Sequence, residues 1–156
     1  MDISIRPAKP ENFALVAELT NHSYTVPYAP SGRITRANDS LDNIKNEIKE
    51  GAKIFVAEVA EKIIGTARYK PRGNDLLLYK LAVDPERRRQ GVGSKLVKYI
   101  LQEMKTTGAD QVMIEVAEEK GLTLYYESLG FKITKRYLHK GRYEVQMSQT
   151  ITALPA

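Results

Sequence analysis

The stretch LAVDPERRRQGVGSKL, residues 81–96, decides how this chain is read. It closes a nearly continuous apolar run, LLLYKLAV at 76–83, which implies a strand covered on both faces at the centre of a sheet. The run stops at Asp84-Pro85. Arg87, Arg88 and Arg89 follow, then Gly91 and Gly93. From Gly91 onward, Val92, Leu96, Val97, Ile100, Leu101 and Met104 recur at helical spacing until Gly108. The pattern is strand, short loop, helix. The first turn of a helix carries backbone N–H groups without intrahelical partners, and the helix dipole adds partial positive charge there. Together they make a site for an anion, most often phosphate. Glycine removes the Cβ atoms that would block close approach and permits the dihedrals such a loop needs. Ser94 offers a hydroxyl, and the arginines supply full charge. The competing reading is a capped helix with a glycine-rich start and a basic surface.

Working outward, alternation at 3–6 gives a short strand, and Pro10 suits the start of a helix whose apolar stripe, Phe13, Val16, Ala17 and Leu19, fades near Asn21. Residues 22–39 contain three breakers and little periodicity, so a long functional loop is expected. Ser40 caps a second helix with Leu41, Ile44 and Ile48 on one face and Gly51 beyond its end. Residues 53–69 read as a hairpin turning near Glu61-Lys62, and PRGND at 71–75 as a second turn. QVMIEV at 111–116 is another buried strand, 120–129 a helix, and 131–137 and 143–151 the last two strands. The order is strand, helix, helix, three strands, helix, strand, helix, two strands. That is a mixed α/β domain with a right-handed, parallel central crossover and helices on both faces.

The 156 residues fit one domain spanning 1–156, a size that hides about 70% of the unfolded surface. With no Cys, disulfides and thiolate chemistry are excluded, and with only His22 and His139 a His-rich metal site is not expected. No apolar run approaches the roughly 18 residues that cross a bilayer, and no basic leader precedes an apolar stretch. The expectation is a cytoplasmic protein with no membrane partner. The net charge of +5 and pI near 9.3 admit a nucleic acid, a membrane surface or a polyanionic small ligand. The arginines cluster at one helix entry, which suits a diphosphate better than a nucleic acid.

Two common phosphate motifs are absent: there is no G-x-x-x-x-G-K-[ST], and Leu96 stands at the third glycine of G-x-G-x-x-G. RRQGVG at 88–93 instead has the form [Q/R]-x-x-G-x-[G/A]. Here the chain resembles the GNAT superfamily, the acyl-CoA-dependent N-acyltransferases. LYYESLGF at 124–131 is similar to that family's L-Y-E-K-x-G-F, in family order and at family distance. The specific part of the resemblance covers 76–131, and the element order extends it over almost the whole chain. The resemblance implies a GNAT-like fold, a central and mostly antiparallel sheet of about seven strands with a parallel central pair. It implies acetyl-CoA as cosubstrate, no metal, and direct acetyl transfer to a primary amine in a ternary complex. It assigns Arg88, Arg89, Gln90, Gly91, Val92, Gly93 and Ser94 to the CoA pyrophosphate, and the main chain of Leu81 and Val83, on a bulged strand, to the pantetheine arm. It places Tyr126 near the thioester sulfur as the acid for the leaving thiolate, and leaves Tyr125 a packing role. Glu119 and Leu122 depart from it, standing where members often have Asn and a small residue.

Acyl transfer also needs a neutral amine and a stabilised carbonyl oxygen. Asp75, Tyr79 and Glu115 are candidate bases. Glu115 is preferred, because a lone carboxylate in an apolar strand would, if buried, hold its proton more strongly. Tyr24, Tyr28 and Arg33 in the long loop are candidates for lining the acceptor site. The acceptor is a small-molecule or peptide amine of unspecified identity, and a homodimer is left open. An acyl-CoA sensor without turnover and a basic nucleic-acid-binding module are the alternatives.

Overall fold

A computed structural model describes residues 2–25, 39–87, 89–118, 120–139 and 141–153. The elements are β1 (Ser4–Pro7), α1 (Phe13–Thr25), α2 (Leu41–Lys49), β2 (Lys53–Val59), β3 (Lys62–Arg72), β4 (Asp75–Val83), α3 (Val92–Met104), β5 (Gln111–Ala117), α4 (Lys120–Ser128), β6 (Lys132–His139) and β7 (Arg142–Thr150). This is the order the sequence implies. The strands are arranged β1-β2-β3-β4-β5-β7-β6. Strands β4 and β5 run parallel through Leu76 opposite Val112 and Leu77 opposite Met113. The pairs β1–β2, β2–β3, β5–β7 and β6–β7 are antiparallel. The mixed α/β class with one parallel pair is therefore as expected.

The chain forms two compact units. The first comprises Met1–Lys70 and Lys80–Ile100. Its core gathers Phe13, Val16 and Ala17 of α1, Ile44 of α2, and Ile54 and Val56 of β2. Ser40 Oγ accepts the Asn43 N–H at 3.0 Å, the cap the sequence calls for, and Ile44 is the buried residue of α2. The β2–β3 hairpin turns on Ala60 and Glu61, both at positive φ (49° and 66°). That pair of signs matches the twist of a tight hairpin, although neither residue is the Gly or Asn usual there. Gly65 of β3 has a packing reason. A Cβ there would lie 2.9 Å from Val92 Cγ1 and 3.0 Å from Leu96 Cδ1, so the start of α3 sits directly on β3.

Helix α1 runs to Thr25, beyond the point where its apolar stripe fades. Just before that turn, Asn21 is tied to Asp39 by hydrogen bonds, which periodicity does not report. The Asn21 amide donates to the Asp39 carbonyl (2.9 Å) and accepts the Asp39 N–H (2.8 Å). The second unit comprises Pro71–Tyr79 and Leu101–Ala156. Strand alternation puts Val112 and Ile114 of β5 and Val145 and Met147 of β7 in its core, with Tyr126 and Phe131. Strand β6 ends the sheet order, and its side chains are exposed except for half-buried Tyr137.

Candidate functional site

In the first unit the site is built where β4 gives way to α3. Lys80 has φ +51°, a reversal inside the strand. Beyond it, Leu81 and Val83 point to one side. A Cβ placed on Gly93 would meet them at 3.8 and 3.7 Å, so both side chains face the first turn of α3. The Asp84 N–H donates to the Ile64 carbonyl at 2.8 Å, which ties the end of β4 to β3. Asp84 then organises the loop: its Oδ1 accepts the Glu86 N–H (3.0 Å) and its carbonyl accepts the Arg87 N–H (2.8 Å). Arg89 and Gly91 follow at φ +65° and +80°. The Lys95 N–H donates to the Gly91 carbonyl at 3.0 Å, which closes the first turn. The N–H groups of Val92, Gly93 and Ser94 therefore precede any intrahelical acceptor.

The reason for Gly91 is conformational. Beyond its chain neighbours, no heavy atom of the described residues lies within 4 Å of an added Cβ, but the left-handed dihedral disfavours any side chain. Val92 divides its roles, with a side chain packed on Gly65 and a main chain at the helix start. Arg89, Gln90 and Gly91 are exposed, whereas Gly93 and Ser94 are half-buried. Arg88 lies outside the described residues.

In the second unit, Tyr126 on α4 is buried, with its ring edge-on to Tyr125 (5.1 Å) and to Phe131 (5.9 Å). The hydroxyl of Tyr125 is buried without a hydrogen-bond partner among the described residues. Read from the sequence, Tyr125 has only a packing role; its position next to a second tyrosine was the one available signal. Glu115 departs from the expected lone buried carboxylate. Period-two alternation turns it away from Ile114 and Val112, and it is exposed. Its carboxylate pairs with Arg72 at 2.9 Å and accepts the Tyr137 hydroxyl at 2.7 Å. Burial pushes the Tyr137 phenol above its usual range, and the hydrogen bond to Glu115 and the charges of Glu115 and Glu144 push the same way. Tyr137 thus stays protonated and keeps donating. Asp75 and Tyr79 are half-buried on β4. Leu122, also half-buried, lies on α4. The backbone of Tyr24 is in α1, but its side chain, with Tyr28, Arg33 and Glu119, lies outside the described residues. The loop residues with Leu81 and Val83 belong to the first unit, and Tyr125, Tyr126 and Glu115 to the second.

One cluster went unread in the sequence. Arg68, fully buried on β3, pairs with Asp39 and with Glu47 (3.2 Å). The Asn43 amide donates to Asp39 Oδ1 (2.7 Å) and Glu47 Oε2 (2.6 Å). Lys80 Nζ lies 3.2 Å from Glu47 Oε2 and 3.6 Å from Asp39 Oδ1. Burial alone would raise the Asp39 pKa. The hydrogen bonds from Arg68 and Asn43 and the charges of Arg68 and Lys80 outweigh it, so the carboxyl sits below its ordinary range. An arginine in the middle of the apolar strand IIGTARYK was the available signal.

A family model described as acetyltransferase (GNAT) domain matches residues 50–133. N-acetyltransferase 8 of Homo sapiens is 33% identical over 109 residues, covering 65% of this chain and 48% of the relative. The chain spans about half the length of the curated relatives it matches. The crystal structure of the ribosomal-protein-S18-alanine N-acetyltransferase from Escherichia coli superposes with a TM-score of 0.74 at 21% identity, covering 96% of this chain and 94% of that one. The PaiA N-acetyltransferase of Thermoplasma acidophilum, solved in complex with coenzyme A, gives a TM-score of 0.73 at 20% identity, with 96% and 99% covered. At these identities the likeness is one of fold.

Proposed function

The chain belongs to the GNAT acetyltransferase family, and from that premise we propose that it transfers an acetyl group from acetyl-CoA to a primary amine, directly within a ternary complex. The observation that carries the reading is the start of α3. Three main-chain donors open the helix, a left-handed Gly91 shapes the loop before them, and Arg89 stands exposed beside it. In this reading Gln90, Gly91, Val92, Gly93 and Ser94 hold the pyrophosphate, and Arg88 and Arg89 neutralise it. The main chain of Leu81 and Val83 meets the pantetheine arm. The orphan hydroxyl of Tyr125 is a donor that a bound ligand would satisfy.

The amine nitrogen attacks the thioester carbonyl carbon, the C–S bond breaks, and the thiolate takes the proton of Tyr126. The amine proton passes through water to Glu115, which Arg72 and Tyr137 hold in one orientation. The acceptor is a small-molecule or peptide amine, with Tyr24, Tyr28 and Arg33 near it.

The test combines CoA calorimetry with thiol release from acetyl-CoA against a panel of small amines and peptides. CoA binding and amine-dependent thiol release are expected. Gly91→Val strains the loop by about 1–2 kcal/mol and is expected to weaken CoA correspondingly. Unchanged affinity in that variant would remove the pyrophosphate assignment. Binding without thiol release from any amine would favour an acyl-CoA sensor. Salt-sensitive binding of nucleic acid without CoA affinity would overturn both.

A further inference from the structure

Lys80 sits at φ +51° within β4 with no glycine to make that dihedral easy. A side chain in the left-handed region is strained, and it persists only where its surroundings over-determine it. Here they do. The ammonium is held by Glu47 Oε2 at 3.2 Å and Asp39 Oδ1 at 3.6 Å. Neither carboxylate is loose. The Asn43 amide bridges them, Arg68 pairs with both, and Asn21 grips the Asp39 main chain through its N–H and its carbonyl. Asp39 and Glu47 therefore hold the one residue of β4 at positive φ, and groups from α1, α2 and β3 hold those carboxylates in turn. The next residues, Leu81 and Val83, turn their side chains to Gly93 in the first turn of α3.

We propose that the Asp39–Glu47–Arg68–Lys80 cluster is a positioning device for the acyl carrier: it locks the reversal at Lys80 and so fixes the main chain of 81–83 beside the α3 N-terminus. The cluster acts through the strand, since Lys80 is joined directly to Leu81. The inference rests on the CoA reading given above.

The test uses two substitutions at one position. Lys80→Met and Lys80→Gly both remove the ammonium, but only glycine takes φ +51° without strain. Lys80→Met is expected to weaken CoA binding about tenfold by calorimetry, with Lys80→Gly within about threefold of the parent chain. Glu47→Gln, which leaves Lys80 intact, is expected to weaken binding like Lys80→Met and to be rescued when combined with Lys80→Gly. Amide hydrogen exchange at Leu81 and Val83, measured without CoA, is expected to quicken in Lys80→Met and Glu47→Gln and not in Lys80→Gly. Equal behaviour of the Met and Gly variants, in affinity and exchange alike, overturns the inference and leaves the cluster as ordinary ion pairing. If the parent chain fails to bind CoA, the carrier reading falls on its own, and the exchange comparison still decides whether the cluster locks the strand.

Discussion

Two neighbouring tyrosines on α4 answer differently to the loss of one oxygen. Tyr126→Phe is expected to lower kcat about a hundredfold with little change in KM for acetyl-CoA, the signature of a lost proton donor. A full-rate variant would end its assignment as the acid. Tyr125→Phe removes a buried hydroxyl that has no hydrogen-bond partner among the described residues, a group whose burial costs about 1–3 kcal/mol. The midpoint of thermal unfolding without ligand is expected to rise or hold, and a clear fall would show that the hydroxyl is bonded after all. The glycine turn before α3 and the helix that carries Tyr126 were legible because their signals are local, a few residues apart along the chain. Arg68 was not, because its environment comes from distant partners: Asp39 and Glu47 meet Arg68, and Lys80 meets the same two carboxylates, only once α2, β3 and β4 have formed.

Among the elements, type and order followed from periodicity, and the departures are ones periodicity does not encode. Helix α1 runs a turn past its apolar stripe, where Asn21 bonds to the main chain of Asp39. QVMIEV reads as a buried strand, yet Glu115 is exposed and is held by Arg72 and Tyr137. Helix α2 shows a local signal with a wider reach. Ser40→Ala deletes the cap at the Asn43 N–H and is expected to cost about 1 kcal/mol in denaturant unfolding. Asn43 and Glu47 ride on that helix, so the same change is expected to loosen the carboxylates around Lys80. A cost near zero would mean that packing of Ile44 alone sets the helix start.

For the molecule as a whole, Asp39 ties stability to pH. Its folded pKa lies below the ordinary 3.8, so its contribution is fully present above that value and is lost as pH falls below it. Asp39→Asn leaves the Arg68 charge buried with one carboxylate fewer, at an expected cost of about 3 kcal/mol near neutral pH. The gap between the two proteins is expected to narrow as acid unfolding is followed below pH 3.8; a gap independent of pH would exclude a charge effect. The exposed final strand has a consequence of another kind. Its backbone edge is a template for a further strand, and Ile133 and Leu138 stand exposed along it. Lys132 and Lys135 share that strand in a chain of net charge +5, so two copies approaching rim to rim repel each other. That repulsion fades beyond about 8 Å at physiological ionic strength. The charge on this strand is therefore expected to hold copies apart most strongly in dilute buffer, and light scattering of concentrated protein across a salt series, rising with salt, checks it.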